Sequence, residues 1–157
     1  MRAGAHTDYG TITLLFQKDI GGLEVQASRT EWISAPIIEG TILGNAYFLL
    51  VPYKYHSHSS LIVNVGGMFE YWTNGLFKST MHRVVFRPEH QEHDRYSIAY
   101  FCQADGNLRL DPIPSKIIPE ERPASGEIPA DKVDQITTAK DYLNMRLQAA
   151  YAPTQAA

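Results

Sequence analysis

Two imidazoles and one carboxylate in this chain are spaced so that they could close around a single metal ion. His6 and Asp8 lie two residues apart near the start, and His82 lies far downstream. Residues two apart on a β-strand project from the same face. His6 and Asp8 could therefore grip one ion while His82 completes the set from another strand. Two histidines and a carboxylate on one face of an octahedral ion leave three positions open, a donor set associated with non-haem Fe(II). Catalytic zinc often takes the same donors. A second pair separates the two metals. Arg95 and Ser97 are also two apart, and a guanidinium fork beside a hydroxyl is a good receptor for a carboxylate. A zinc hydrolase has no role for that receptor.

Each residue alone has a plainer reading. His6 could be a surface histidine in a frayed terminus, His82 a strand residue beside Arg83, and Arg95 a surface cation near Asp94. The joint pattern with its flanks carries the argument. The stretches GAHTDYGTITLLFQKDIGGLEVQ, LIVNVGGMFEYWTNGLFKSTMHRVVF and RYSIAYF occur in that order. Together they resemble the iron and 2-oxoglutarate-dependent dioxygenases, in the isopenicillin-N-synthase-like branch. The resemblance runs from about Gly4 to Phe101 and continues weakly into the tail.

That resemblance implies an all-β fold, a double-stranded β-helix or jelly roll with a C-terminal helix, and a metal site in the barrel mouth. It implies that His6, Asp8 and His82 hold Fe(II). 2-Oxoglutarate would fill two of the open positions and dioxygen the last. Arg95 would pair with the distal carboxylate, with Ser97 adding a hydrogen bond. Some relatives use the same pair to hold a substrate carboxylate and need no 2-oxoglutarate. The expected reaction is hydroxylation or desaturation of a small organic molecule. A non-catalytic remnant that at most binds metal or a partner protein is the alternative.

Composition sets the bounds. With 157 residues, 44% hydrophobic and 20% charged, the chain reads as one ordinary globular domain. A net charge of −3 argues against a non-specific nucleic-acid surface. The single cysteine, Cys102, excludes an internal disulfide framework and suits a reducing, cytoplasmic setting. It lies in an apolar run and reads as a small buried hydrophobe rather than a nucleophile. No signal peptide or membrane-spanning run is visible, and the oligomeric state is not legible.

Thr11–Gln17 reads as a buried strand continuing one that carries His6 and Asp8. Lys18–Gly22 is a turn, Leu23–Gln26 the returning hairpin strand, and Trp32–Ile33 a short strand. Leu61–Val65 and Lys78–Phe86 are strands, the second bearing His82. Met68–Thr73 is a helical turn and Asn74-Gly75 a turn signal. Most members of the family this chain resembles carry an aspartate where Gly67 sits, and the change removes a possible turn cap. Arg87–Asp94 is a loop whose His90 and His93 read as solvated. Arg95–Cys102 is a strand. Asn64, Tyr71, Tyr9 and Phe101 could face a pocket or equally sit in core or rim, and no role follows for them.

Residues 1–104 read as the dioxygenase domain and 105–157 as a C-terminal extension. The segment 120–134 is polar and expected to be mobile. Thr138 and Asp141 make a helix-start box, with Leu143, Leu147 and Ala150 as the packing face of a helix over 138–151. The segment 42–60 stands out. Deleting its 19 residues joins Thr41 to Leu61 and restores a strand of the family pattern. It reads as an atypical insertion, either an in-frame retained intron or a real loop, with no evident pairing partner. His56 and His58 within it read as surface histidines. The first motif comes so early that the chain reads as the C-terminal half of an enzyme. Expressed alone, it is expected to be poorly soluble and nearly inactive.

Overall fold

A computed structural model describes residues 3–38, 41–44, 50–52, 59–90, 92–122, 128 and 130–151. In chain order the strands are β1 (Ala3–His6), β2 (Ile12–Lys18), β3 (Leu23–Gln26), β4 (Trp32–Ser34), β5 (Thr41–Gly44), β6 (Leu50–Pro52), β7 (Ser59–Val65), β8 (His82–Val84) and β9 (Ser97–Cys102). Helix α1 (Gly67–Trp72) follows β7, and helix α2 (Ala139–Tyr151) closes the described chain. Four strands form one sheet in the order β1-β8-β3-β4, and five form another in the order β6-β5-β7-β2-β9. This is the jelly-roll architecture with a C-terminal helix that the sequence led us to expect.

The pattern of β2 shows why it is central to the larger sheet. Thr13, Leu15 and Gln17 point inward, and Leu14 and Phe16 alternate outward. Both edges of β2 are paired: Leu15 is opposite Ile62 of β7 and Ala99 of β9. Across the layers, Leu23, Ala35 and Ile62 form a small core with Leu15 and Val84 packed against it. Each fully buried aliphatic side chain contributes about 1.5–3 kcal/mol.

Several expectations need correction. His6 and Asp8 do not share a strand with Thr11–Gln17, because β1 ends at His6 and the chain turns a corner into the other sheet. Backbone contact makes that corner. The N–H of Gly67 donates to the Asp8 carbonyl at 2.7 Å, that of Met68 to Gly10 at 3.2 Å, and that of Gly66 to Thr11 at 2.9 Å. A Cβ at Gly66 would collide with the Gly10 carbonyl, and one at Gly10 would stand 2.6 Å from the Cys102 oxygen. Glycine is required where two backbones approach this closely.

Leu23–Gln26 is not the hairpin partner of β2; it pairs with β4 and β8 in the opposite sheet. The strand bearing His82 is confined to His82–Val84, and Arg95 sits just ahead of β9 rather than in it. The segment 42–60 does have pairing partners. Ile42, Leu43 and Gly44 run parallel to Leu61, Ile62 and Val63, and Leu50–Pro52 folds back antiparallel on β5. His56 and His58 lie outside the described residues.

The C-terminal residues share a second core with α1. Leu110, Ile128, Ile136, Ala139 and Tyr142 pack with Met68 and Tyr71 of α1. Ile128 is 6% exposed and residues 130–135 form a 3₁₀ helix. Burial of these apolar residues ties down parts of a segment whose polarity suggested mobility. The helix-start box forms as expected: Asp141 accepts from the Thr138 N–H at 2.9 Å, and Thr138 Oγ1 accepts from the Asp141 N–H at 3.3 Å. The buried face of α2 is different from the expected one. It is Ala139, Tyr142 and Arg146, while Leu147 is 37% exposed. No helix among the described residues is long and apolar enough to cross a membrane.

Candidate metal centre

His6 and His82 meet because they are direct cross-strand partners on β1 and β8. Facing residues on antiparallel strands bring their side chains within contact, and the two rings lie 4.4 Å apart between centroids. Asp8 joins them from the corner after β1. Its Oδ1 is 3.8 Å from His6 Nε2 and 3.6 Å from His82 Nε2. One donor atom from each of the three lies within 4.8 Å of the others.

The second nitrogen of each ring is also engaged. His6 Nδ1 lies 2.7 Å from the Gly4 carbonyl and His82 Nδ1 3.0 Å from the Thr80 carbonyl. A carbonyl can only accept, so each Nδ1 carries the proton. In the neutral ring that leaves the Nε2 lone pair free to face Asp8. Asp8, 7% exposed, accepts at Oδ2 from Asn64 Nδ2 at 2.8 Å, so its other oxygen is turned to the histidines. The two Nε2 atoms and this oxygen are close enough together to share one ion. This arrangement fits an N,N,O-ligated divalent ion such as Fe(II).

The three residues line one end of a cavity of about 210 Å³ between the sheets. Its floor is the inner face of the larger sheet, arranged in cross-strand rows. Asn64, Thr13 and Phe101 form the row nearest the metal end, and Ile62, Leu15 and Ala99 form the next. Leu23, Val25 and Val84 close the cavity from the opposite sheet. Ser97 lines the far row, and Gln17 is its cross-strand partner. Four residue steps along the strand lead from Thr13 to Gln17, a span of about 13 Å.

The Arg95 guanidinium is held beside the far row. Its Nη1 donates to Ser97 Oγ at 3.0 Å, its Nη2 to Gln17 Oε1 at 3.0 Å, and its Nε to the Gly21 carbonyl at 2.8 Å. Three bonds to three elements fix the plane of the guanidinium. Gln17 is 1% exposed, and its Nε2 is buried with no partner among the described residues. Such an amide is costly unless something accepts from it, by about 1–3 kcal/mol.

The structure therefore brings His6, Asp8 and His82 together and places Ser97, braced by Arg95, in the same cavity. His90 and His93 remain in the β8–β9 connection, outside the His–Asp–His group. Phe101 lines the cavity, whereas Tyr71 packs with α2 and Tyr9 lies under Arg146. Cys102 is half-buried rather than buried. Asn64 and Gln17 are the residues that sequence reasoning left without a role. The signal was present in each case: a polar side chain at an inward position of an otherwise apolar strand.

Comparison with known proteins agrees with this geometry. The family model of the 2OG-Fe(II) oxygenase superfamily matches residues 1–104. A 2-oxoglutarate-Fe(II) type oxidoreductase of Metarhizium rileyi is 36% identical over 137 residues, 85% of this chain and 34% of that protein. A 2-oxoglutarate-dependent dioxygenase of Aspergillus flavus is 40% identical over 129 residues, 78% of this chain and 31% of that one. Among solved structures, Neurospora crassa T7H in complex with alpha-KG superposes with a TM-score of 0.65 at 35% identity, over 96% of this chain and 38% of that chain. The chain thus spans about a third of the length of the curated relatives it matches. On the strength of that match, and of a jelly roll with a His–Asp–His group at one end of its cavity, the chain belongs to the 2OG-Fe(II) oxygenase superfamily.

Proposed function

We propose that this chain carries the metal and co-substrate site of an Fe(II)- and 2-oxoglutarate-dependent oxygenase that hydroxylates or desaturates a small organic molecule. His6, Asp8 and His82 hold the iron, and Arg95 with Ser97 receives the distal carboxylate of 2-oxoglutarate. The observation that carries the reading is the cavity itself. Its lining runs from the His–Asp–His group through apolar side chains to the Ser97 hydroxyl, behind which Arg95 is bonded to Ser97 Oγ. A molecule with metal-binding oxygens at one end, methylenes between and a carboxylate at the other suits those three zones in order.

When bound, the iron supplies the oxygen activation that couples oxidative decarboxylation of the oxoacid to attack on a C–H bond. The chain's own residues prepare that chemistry. The Gly4 and Thr80 carbonyls keep each Nδ1 protonated and each Nε2 available. Asn64 holds one Asp8 oxygen so that the other faces the ion. Ile62, Leu15, Leu23 and Val84 line the middle of the cavity with apolar surface. A low-dielectric lining strengthens the pairing of Arg95 with a carboxylate.

Related solved proteins support a small-molecule substrate: T7H of Neurospora crassa was crystallised with thymine and with 5-formyluracil. Isothermal titration of 2-oxoglutarate into the chain, with and without Mn(II) as a redox-inert stand-in, tests the site. Metal-dependent binding lost in Arg95→Ala is expected. Binding indifferent to both metal and Arg95 would contradict the reading. Succinate release with Fe(II) and dioxygen then separates a catalytic chain from a non-catalytic metal-binding module.

A further inference from the structure

We infer that Arg146, on the C-terminal helix, is a positioning residue for the metal corner, holding Asp8 in place through the residues on either side of it. This rests on the reading of His6, Asp8 and His82 as metal ligands. Arg146 is 8% exposed. A buried guanidinium is costly unless its donors are met, so its contacts are informative. Nη2 donates to Thr7 Oγ1 at 3.0 Å, Nη1 donates to the Tyr142 hydroxyl at 3.1 Å, and the guanidinium carbon stands 4.7 Å from the centre of the Tyr9 ring. Thr7 and Tyr9 are the immediate neighbours of Asp8 in the chain.

The two contacts bracket the aspartate. Thr7, 4% exposed, lies between the two candidate ligands His6 and Asp8. The Asp8 carbonyl is already held by the Gly67 N–H and its Oδ2 by Asn64. Arg146 adds restraint from a third direction, reaching across 139 positions of sequence. Packing alone does not call for this residue. The apolar Leu147 next to it is left 37% exposed while the cation takes the buried place. Ala139 and Tyr142 of the same face pack against α1, and the helix so oriented brings Arg146 to the corner. Outer contacts that orient ligands typically change metal affinity 10–100-fold when removed.

Titration of Mn(II) into the folded chain tests this without relying on turnover. Arg146→Met and Thr7→Val are each expected to weaken Mn(II) binding about tenfold. The double variant should be no weaker than the worse single one, since both remove the same bond. Tyr142→Phe, which spares the Thr7 bond, should bind within about twofold of the parent. The visible spectrum of bound Co(II) should shift in Arg146→Met and Thr7→Val, a change that loss of helix packing alone would not cause. If Arg146→Met fails to fold, the near-isosteric Thr7→Val carries the test. Wild-type Mn(II) affinity in Thr7→Val, or in a folded Arg146→Met, would overturn the inference while leaving the metal assignment standing. A parent chain that binds no Mn(II) would overturn both.

Discussion

The Asn64 amide donates to Asp8 Oδ2 at 2.8 Å, and this one bond divides the carboxylate into a held oxygen and a free one. The free oxygen, Oδ1, is the one that faces both histidines. Asn64 lies on β7 and Asp8 in the corner after β1, so the larger sheet sets the orientation of a residue attached to the smaller one. Replacing Asn64 with alanine leaves the carboxylate free to rotate. Mn(II) affinity is expected to fall about 10–100-fold with little loss of helix or sheet content. Calorimetric titration alongside circular dichroism checks both halves.

Gly66 meets Gly10 backbone to backbone, and this contact sets where α1 and the corner sit. Gly66→Ala puts a methyl group into the Gly10 carbonyl, against main chain that cannot move aside. The expected cost is about 3 kcal/mol or more, read as a drop in the urea midpoint. The same change at Gly4, with nothing near its Cβ position, should be tolerated.

Arg95 holds Gly21, Gln17 and Ser97 at once. Lysine keeps the charge but cannot reproduce the fork. Arg95→Lys should weaken 2-oxoglutarate binding to the Mn(II)-loaded chain about 10–100-fold, the equivalent of about 1.5–3 kcal/mol. Mn(II) binding in the absence of 2-oxoglutarate should be unchanged. A parallel loss of both affinities would point to a folding defect instead.

At the start of α2, hydrogen bonds from the Thr138 and Thr137 side chains hold the Asp141 carboxyl below its usual value of 3.8. A carboxyl depressed in the folded state adds stability above its unfolded pKa, and that stability is lost as pH falls through the folded value. Thermal melts should therefore show an acid limb below about pH 4 that is flattened in Asp141→Asn. Thr138→Ala, which removes the cap itself, should cost about 1 kcal/mol at neutral pH.

Local chemistry made much of this legible in the sequence. The glycine turn after β2, the Asn74-Gly75 turn and the helix-start box are each specified within a few residues, and each forms where expected. The rest depends on which strand pairs with which. Leu23–Gln26 looks like the partner of β2 because it follows a tight turn, but Leu23 is buried only by crossing to the opposite sheet, against Ile62 and Val84. Spacing by two suggested that His6 and Asp8 share a strand, whereas a corner with a glycine at its end brings them together. Leu143, Leu147 and Ala150 follow helical spacing as well as the true face does. Packing of Ala139 and Tyr142 against α1, together with the distant corner containing Thr7 and Tyr9, turns Arg146 inward. Asn64 and Gln17 became readable as site residues once the sheet register put them in rows with Thr13 and Ser97.

The assignment of His6, Asp8 and His82 to one metal ion is tested most directly by an anomalous difference map from crystals grown with Mn(II). One peak per chain is expected, bonded to Nε2 of His6, Nε2 of His82 and Oδ1 of Asp8, and absent in Asp8→Ala. A map at saturating Mn(II) with no peak at that point, or with the ion held elsewhere on the chain, would contradict it.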